Sequence, residues 1–197
     1  MSTARPLLER RFHAPSLLHT QQLAAALGAW LLPQAGQGVV LALAGDLGAG
    51  KTTFVRALAR GAGLCAAVPV PSPTFIVAQR FVLPAGVELC HADAYRLGSA
   101  SEWEAAGGEE MLGPGRLTCV EWAERIPGAL PEDRLEVHLV ADEAPADDPV
   151  AADAAPAAGP VACATPPGGR WLVLRALGPA SAACLAAFAA PWPESPA

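Results

Sequence analysis

The chain has 197 residues, with 13 Lys or Arg against 19 Asp or Glu for a formal charge of −6, and 52% of it is apolar. That length suits one domain with a substantial core. The apolar runs at 23–32 and 39–44 fall short of the roughly 18 residues that cross a bilayer, so no membrane span is expected. Residues 141–169 carry five acids and no basic residue, which leaves 13 basic against 14 acidic residues elsewhere, and no basic face is expected to hold nucleic acid directly.

Residues 7–13 suggest a short edge strand. From Ser16 to Leu32 apolar residues recur at helical steps (Leu17, Leu18, Leu23, Leu27, Trp30, Leu31), with Pro15 and Ser16 at the start and Pro33 and Gly36 at the end. A strand over 38–44 runs into a glycine-rich loop, and a helix follows from Lys51 to about Arg60, with Phe54, Ala57, Leu58 and Gly61 on one side. Gly61 and Gly63 are read as its stop. Three prolines in 68–75 demand an extended connection, ending in Ser72-Pro73-Thr74-Phe75. Ile76–Leu83 and Val87–Ala92 read as a hairpin turning at Pro84–Gly86. Ser101 and Glu104 form a capping-box pattern for a short helix to Ala106. Strands are expected at Leu117–Glu121, Arg134–Val140 and Trp171–Arg175, and a small helix at Ala180–Ala190.

Between the last two strands, residues 141–169 hold eleven alanines and six prolines, too little apolar bulk to order themselves. The expected organisation is therefore a core over 1–140, a disordered insertion over 141–169, and a strand and helix over 170–197 that complete the domain. The five cysteines are scattered, which reads as reduced thiols rather than a disulfide framework or metal ligands. Charges within Met1–Arg11 interrupt any export signal, so the expected location is cytoplasmic.

The loop, Gly45-Asp-Leu-Gly-Ala-Gly-Lys-Thr52, carries the chemistry. Gly45, Gly48 and Gly50 let backbone N–H groups converge on a phosphate with no Cβ in the way. The N-terminus of the following helix adds its dipole at the same point. Lys51 is placed to reach the β- and γ-phosphates, and the Thr52 hydroxyl to ligate Mg²⁺. Lys51 is the only lysine beside twelve arginines, consistent with a position that wants a compact ammonium rather than a planar fork.

Hydrolysis needs further groups. Glu121, at the end of the Leu117–Val120 strand, stands where a metal-side acid sits; otherwise it is a solvated acid at a strand end. Asp93, after Val87–His91, is either a catalytic acid or a cap or salt-bridge partner of Arg96. Thr74 lies in a loop of the kind that closes over a γ-phosphate, or it simply bends the chain after Pro73. Arg96 reads as a surface residue, Trp122 as core or pocket wall, and His91 as a packed histidine. His13, His19 and His138 have no partners at metal spacing.

Taken in order, Gly45–Thr53, Ser72-Pro-Thr-Phe75, His91-Ala-Asp-Ala-Tyr-Arg-Leu97, Val120-Glu-Trp122 and Leu135-Glu-Val-His-Leu139 closely resemble the TsaE (YjeE) family, the bacterial ATPase of the tRNA threonylcarbamoyladenosine pathway. The resemblance spans about residues 16–140. It implies an α/β fold of the P-loop NTPase type, three layers about a mixed parallel and antiparallel sheet. It implies ATP bound by Gly45, Asp46, Leu47, Gly48, Ala49, Gly50, Lys51, Thr52 and Thr53, and Mg²⁺ on Thr52 and Glu121. It makes Asp93, with Lys51, a catalytic residue, and it implies TsaB and TsaD as partners through which tRNA is reached indirectly. The alanine- and proline-rich insertion departs from the family's compact pattern. Two other readings remain, a small-molecule kinase with Asp93 receiving the acceptor proton, and a nucleotide-gated binding module with incidental hydrolysis. Guanine selectivity through an Asn-Lys-x-Asp loop is excluded, because the chain has no asparagine.

Overall fold

The computed structural model describes residues 5–73, 78–142 and 169–189. Its strands are β1 (Leu8–Ala14), β2 (Val39–Ala44), β3 (Ala78–Val82), β4 (Glu88–Asp93), β5 (Arg116–Glu121), β6 (Leu135–Ala141) and β7 (Arg170–Ala176). Its helices are α1 (Leu17–Leu31), α2 (Lys51–Gly61), α3 (Ala100–Ala105) and α4 (Pro179–Ala189). The strands form one sheet in the order β1-β7-β6-β2-β5-β4-β3. β2 is parallel to β5 and β6, and β4 is parallel to β5. β3, at one edge, and β7, near the other, run antiparallel to their neighbours. This is the expected mixed α/β sheet. The hairpin between β3 and β4 turns at Pro84–Gly86, where Ala85 and Gly86 both take positive φ.

The apolar pattern fills two cores, one on each side of the sheet. On one side, Leu23, Leu27 and Leu31 of α1 and Phe54, Val55 and Leu58 of α2 pack with Leu185 and Phe188 of α4 over Leu41, Leu43, Leu117, Leu135 and Leu172. On the other, Trp103, Met111 and Ile126 cover Ala42, Cys90, Ala92 and Val120. Every second residue of β6 (Leu135, Val137, Leu139) enters the helix-side core, as period-two alternation requires. Glu136, on the opposite face, is buried as well, held by Arg134 at 2.9 Å and His138 at 3.4 Å.

Some details differ from the sequence expectation. Leu18 and Trp30 lie outside the buried stripe of α1 and are exposed. The short helix is capped by Ser99, not Ser101: Ser99 Oγ accepts from Glu102 N at 3.2 Å, and Glu102 Oε2 accepts from Gly98 N at 2.8 Å. Both serines have a glutamate three residues on, and the helix starts after the earlier one, with Trp103 buried within it. Gly61 is still inside α2, and the left-handed residue past the helix end is Gly63 (φ 91°). The reason for a glycine at 61 is packing, since a Cβ there would lie 2.5 Å from the carbonyl carbon of Ala25 in α1. α1 and α2 therefore meet backbone to backbone.

β6 and β7 are antiparallel partners, and Asp142 N donates to Gly169 O at 3.0 Å where their connection leaves the sheet. The expectation of disorder falls on that connection, of which 143–168 lies outside the described residues, as do Thr74 and the C-terminal end. Among the described cysteines all four are free, with Cys90 and Cys119 buried, Cys184 half-buried and Cys65 exposed. Burial and the nearby Glu88 push the Cys90 thiol up to about 11. Among the described residues no helix is long and apolar enough to cross a membrane.

Candidate active site

The carboxyl ends of three adjacent parallel strands converge here. Along the register, Leu43 of β2 stands beside Glu121 of β5, and Glu121 beside Asp93 of β4. In open α/β sheets this edge is where ligands bind. β2 leads into loop 45–50, whose Gly45, Gly48 and Gly50 all have positive φ (139°, 82° and 98°). Gly45 abuts β6 so closely that a Cβ would lie 2.5 Å from Leu139 O. α2 begins at Lys51 directly after the loop, so its unpaired N-terminal amides and dipole face the same space.

Lys51 is buried, and its Nζ donates to Gly45 O at 2.6 Å and Asp46 O at 2.9 Å. The ammonium also stands 3.6 Å from the centre of the Trp122 ring. Burial pulls Lys51 below its ordinary pKa, against the opposite pull of Glu121, Glu124, Asp93 and Asp46. Trp122 reaches this position through a left-handed backbone (φ 58°, ψ 37°), which turns its ring back over the loop after β5 ends. Tyr95 packs against Trp122, with ring centres 5.2 Å apart.

Thr52 Oγ1 donates to Glu121 Oε2 at 3.0 Å, which joins the first turn of α2 to the end of β5. The other oxygen of Glu121 is held by His91 Nε2 at 2.8 Å. A carboxylate only accepts, so Nε2 carries the proton of this pair. His91 and Glu121 are both buried, and among the described residues His91 Nδ1 has no hydrogen-bond partner. Asp93 is buried beside them, with Oδ1 accepting from Tyr95 N at 2.8 Å and Oδ2 facing Ser72 Oγ at 3.5 Å.

The structure thus brings Lys51, Thr52, Glu121 and Asp93 to one place. Gly45, Gly48, Ala49 and Gly50 form the cradle beside them, Thr53 continues the first turn of α2, and Asp46 and Leu47 sit on the exposed rim. Leu47 is 83% exposed. Two residues were not singled out from sequence as parts of the site. His91 reads as a packed histidine until β4 and β5 are known to be neighbours. Arg170 donates from Nη1 to Ala49 O at 2.7 Å across 121 positions of sequence. The one local signal for it is its place at the head of Leu172, Leu174 and Ala176, a buried alternation that begins with a charge.

The profile of the family described as threonylcarbamoyl adenosine biosynthesis protein TsaE matches residues 15–147. The chain belongs to the TsaE family. Three relatives described as tRNA threonylcarbamoyladenosine biosynthesis protein TsaE illustrate the similarity. One from Bacillus subtilis is 42% identical over 103 residues, covering 51% of this chain and 60% of that protein. One from Haemophilus influenzae is 34% identical over 103 residues, covering 52% and 63%. One from Rickettsia bellii is 40% identical over 121 residues, covering 61% and 78%. The matched stretch thus spans less than two thirds of the first two relatives' own lengths. The crystal structure of Bacillus subtilis YdiB aligns with a TM-score of 0.62 over 96% of this chain and 97% of that one, at 24% identity, which supports the P-loop fold. The TsaE family is described as one of threonylcarbamoyl adenosine biosynthesis.

Proposed function

We propose that this TsaE family member is an Mg²⁺-dependent ATPase that supports threonylcarbamoyladenosine modification of tRNA together with TsaB and TsaD, in the cytoplasm. The observation that carries the reading is the meeting of Lys51, the Thr52–Glu121 pair and buried Asp93 at the mouth of one glycine loop. Loop amides and the α2 N-terminus favour an anion, and Lys51 is the compact cation that a phosphate oxygen would draw away from its neutral carbonyl acceptors. Among the described residues no three His, Cys, Asp or Glu side chains form a metal cage. That suits Mg²⁺, which takes one or two protein oxygens and completes its shell with water and phosphate. Thr52 Oγ1 and Glu121 Oε2 would hold it, and bound Mg²⁺ would supply charge neutralisation at the phosphates. His91 keeps Glu121 in register with Thr52. Asp93 orients the attacking water and accepts its hydrogen bond.

The near-neutral charge outside 141–169 supports access to tRNA through protein partners rather than a basic face. The two isolated arginines that a kinase lid could draw on are held by contacts within the protein itself. Arg116 starts β5, roughly 16 Å along the strand from Glu121, and pairs with Glu88 at 3.3 Å. Arg125 donates to Leu97 O at 2.9 Å and lies over Tyr95. The test is multiple-turnover tRNA modification by purified TsaB and TsaD with ATP, with and without this protein and its Asp93→Asn variant. Turnover that requires the wild type and falls at least tenfold with Asp93→Asn is expected. Equal turnover without the protein would sink the reading. Full support by Asp93→Asn, with hydrolysis abolished, would favour the nucleotide-gated binding module.

A further inference from the structure

Arg170 is a buried cation with no acid beside it among the described residues. It is 5% exposed, and among the described residues no carboxylate pairs with it. Its Nε is buried and has no hydrogen-bond partner among the described residues. Charges withdrawn from water are ordinarily paired, so an arginine kept in this state calls for a countercharge that the described residues do not supply. Its surroundings point to where the countercharge arrives. Arg170 opens β7 and is paired in register with Ala14 of β1 and Ala141 of β6, so its backbone is fixed in the sheet. Because β7 runs antiparallel to β6, its first residue stands at the sheet end where the parallel strands finish and the glycine loop begins. Period-two alternation puts its side chain on the face of Leu172 and Leu174, the face that α2 covers.

The guanidinium uses that placement on the loop. Nη1 donates to Ala49 O at 2.7 Å, and a Cβ at residue 50 would lie 2.5 Å from the same nitrogen. A trans peptide holds its C=O and N–H on opposite sides, so pinning the Ala49 carbonyl toward Arg170 turns the Gly50 N–H away from it. An unpinned peptide could flip and present a carbonyl to an incoming anion. We propose that Arg170 is a positioning residue of the phosphate site: it locks the 49–50 peptide with its amide toward the phosphates, and the bound phosphates balance its charge. This assignment rests on the nucleotide reading above.

Two variants test it. Arg170→Met keeps the apolar stem and removes charge and donors, and Arg170→Lys keeps the charge and loses the fork. The readouts are ATP and ADP affinity by calorimetry, KM against kcat for hydrolysis, and melting temperature with and without nucleotide. Arg170→Met should bind ATP and ADP about tenfold more weakly, or about 1.4 kcal/mol, through KM more than kcat, while melting without nucleotide no earlier than wild type. Arg170→Lys should recover part of that loss and remain about threefold weaker than wild type. Wild-type affinity in folded Arg170→Met would overturn the assignment, as would a lower melting temperature with unchanged affinity, the mark of a purely structural arginine. Should Arg170→Met fail to fold, unchanged affinity and KM in Arg170→Lys would overturn it instead. Absence of ATP binding by the wild type would overturn the nucleotide reading and this assignment with it.

Discussion

Replacing Gly61 by alanine separates two accounts of why glycine stands near the end of α2. Helix propensity alone says that alanine should stabilise, by up to about 1 kcal/mol for an interior position. The packing says otherwise. A Cβ on residue 61 would collide with the carbonyl oxygen of Ala25 and lie 2.5 Å from its carbon and 2.6 Å from its Cα. Comfortable carbon contacts are roughly 3.5–4.0 Å, so the two helices must part by about 1 Å. Overpacking ordinarily costs about 1–3 kcal/mol. Here the obstacle is backbone, which cannot escape by changing rotamer, so the upper end applies. Set against the propensity gain, the net loss is about 2 kcal/mol. For a domain of this size that lowers the melting temperature by about 4–8 °C. Thermal melts followed by circular dichroism, with a urea titration to obtain the free energy, measure it directly. Gly28→Ala should behave alike, because a Cβ there would lie 2.8 Å from the carbonyl carbon of Leu58. A melting temperature equal to or above wild type for Gly61→Ala would refute the argument and return Gly61 to the role of a helix stop.

Two further outcomes follow from single contacts. His91→Phe removes the group that holds Glu121 Oε1 at 2.8 Å while keeping a ring in the buried site; Mg²⁺ titration of ATP hydrolysis should show metal affinity about 10–100-fold weaker, and an unchanged Mg²⁺ curve would remove His91 from the site. Asp133 accepts from Ala180 N at 2.8 Å and Ser181 N at 2.9 Å at the start of α4, so Asp133→Ala should cost about 1 kcal/mol. Burial raises the Asp133 pKa, but its bonds from Ser181 and Ala180 outweigh that and hold the carboxyl below its ordinary value. Its contribution is therefore fully present above the unfolded value of about 3.9 and is lost as pH falls through the lower folded value. The gap in melting temperature between wild type and variant should be constant from neutral pH to about pH 5 and close below about pH 4; a gap that persists at pH 2 would argue against a charged cap.

Much of the site was legible because its signals are local. The spacing of Gly45, Gly50, Lys51 and Thr52, an apolar strand before them and a helix after, needs only neighbouring residues to be recognised. Glu121 and Asp93 could be named as acids at strand ends, yet which strands are adjacent is not a local property. Only the order β2-β5-β4 makes Glu121 the neighbour of both Leu43 and Asp93. The capping serine was misplaced for a related reason. Ser99 and Ser101 offer the same local pattern, and the structure takes the first of them as the cap.

What the sequence determined by itself was the glycine loop, the elements around it and the motif set shared with the TsaE family, all carried by short-range spacing and period. What the tertiary structure alone decided was the company these residues keep. His91 grips Glu121 across 30 positions, Gly61 admits the backbone of α1, and Arg170 reaches the loop across 121. Such contacts arise from strand order and helix crossing, which are settled by packing the whole chain at once, and no window of sequence contains both partners.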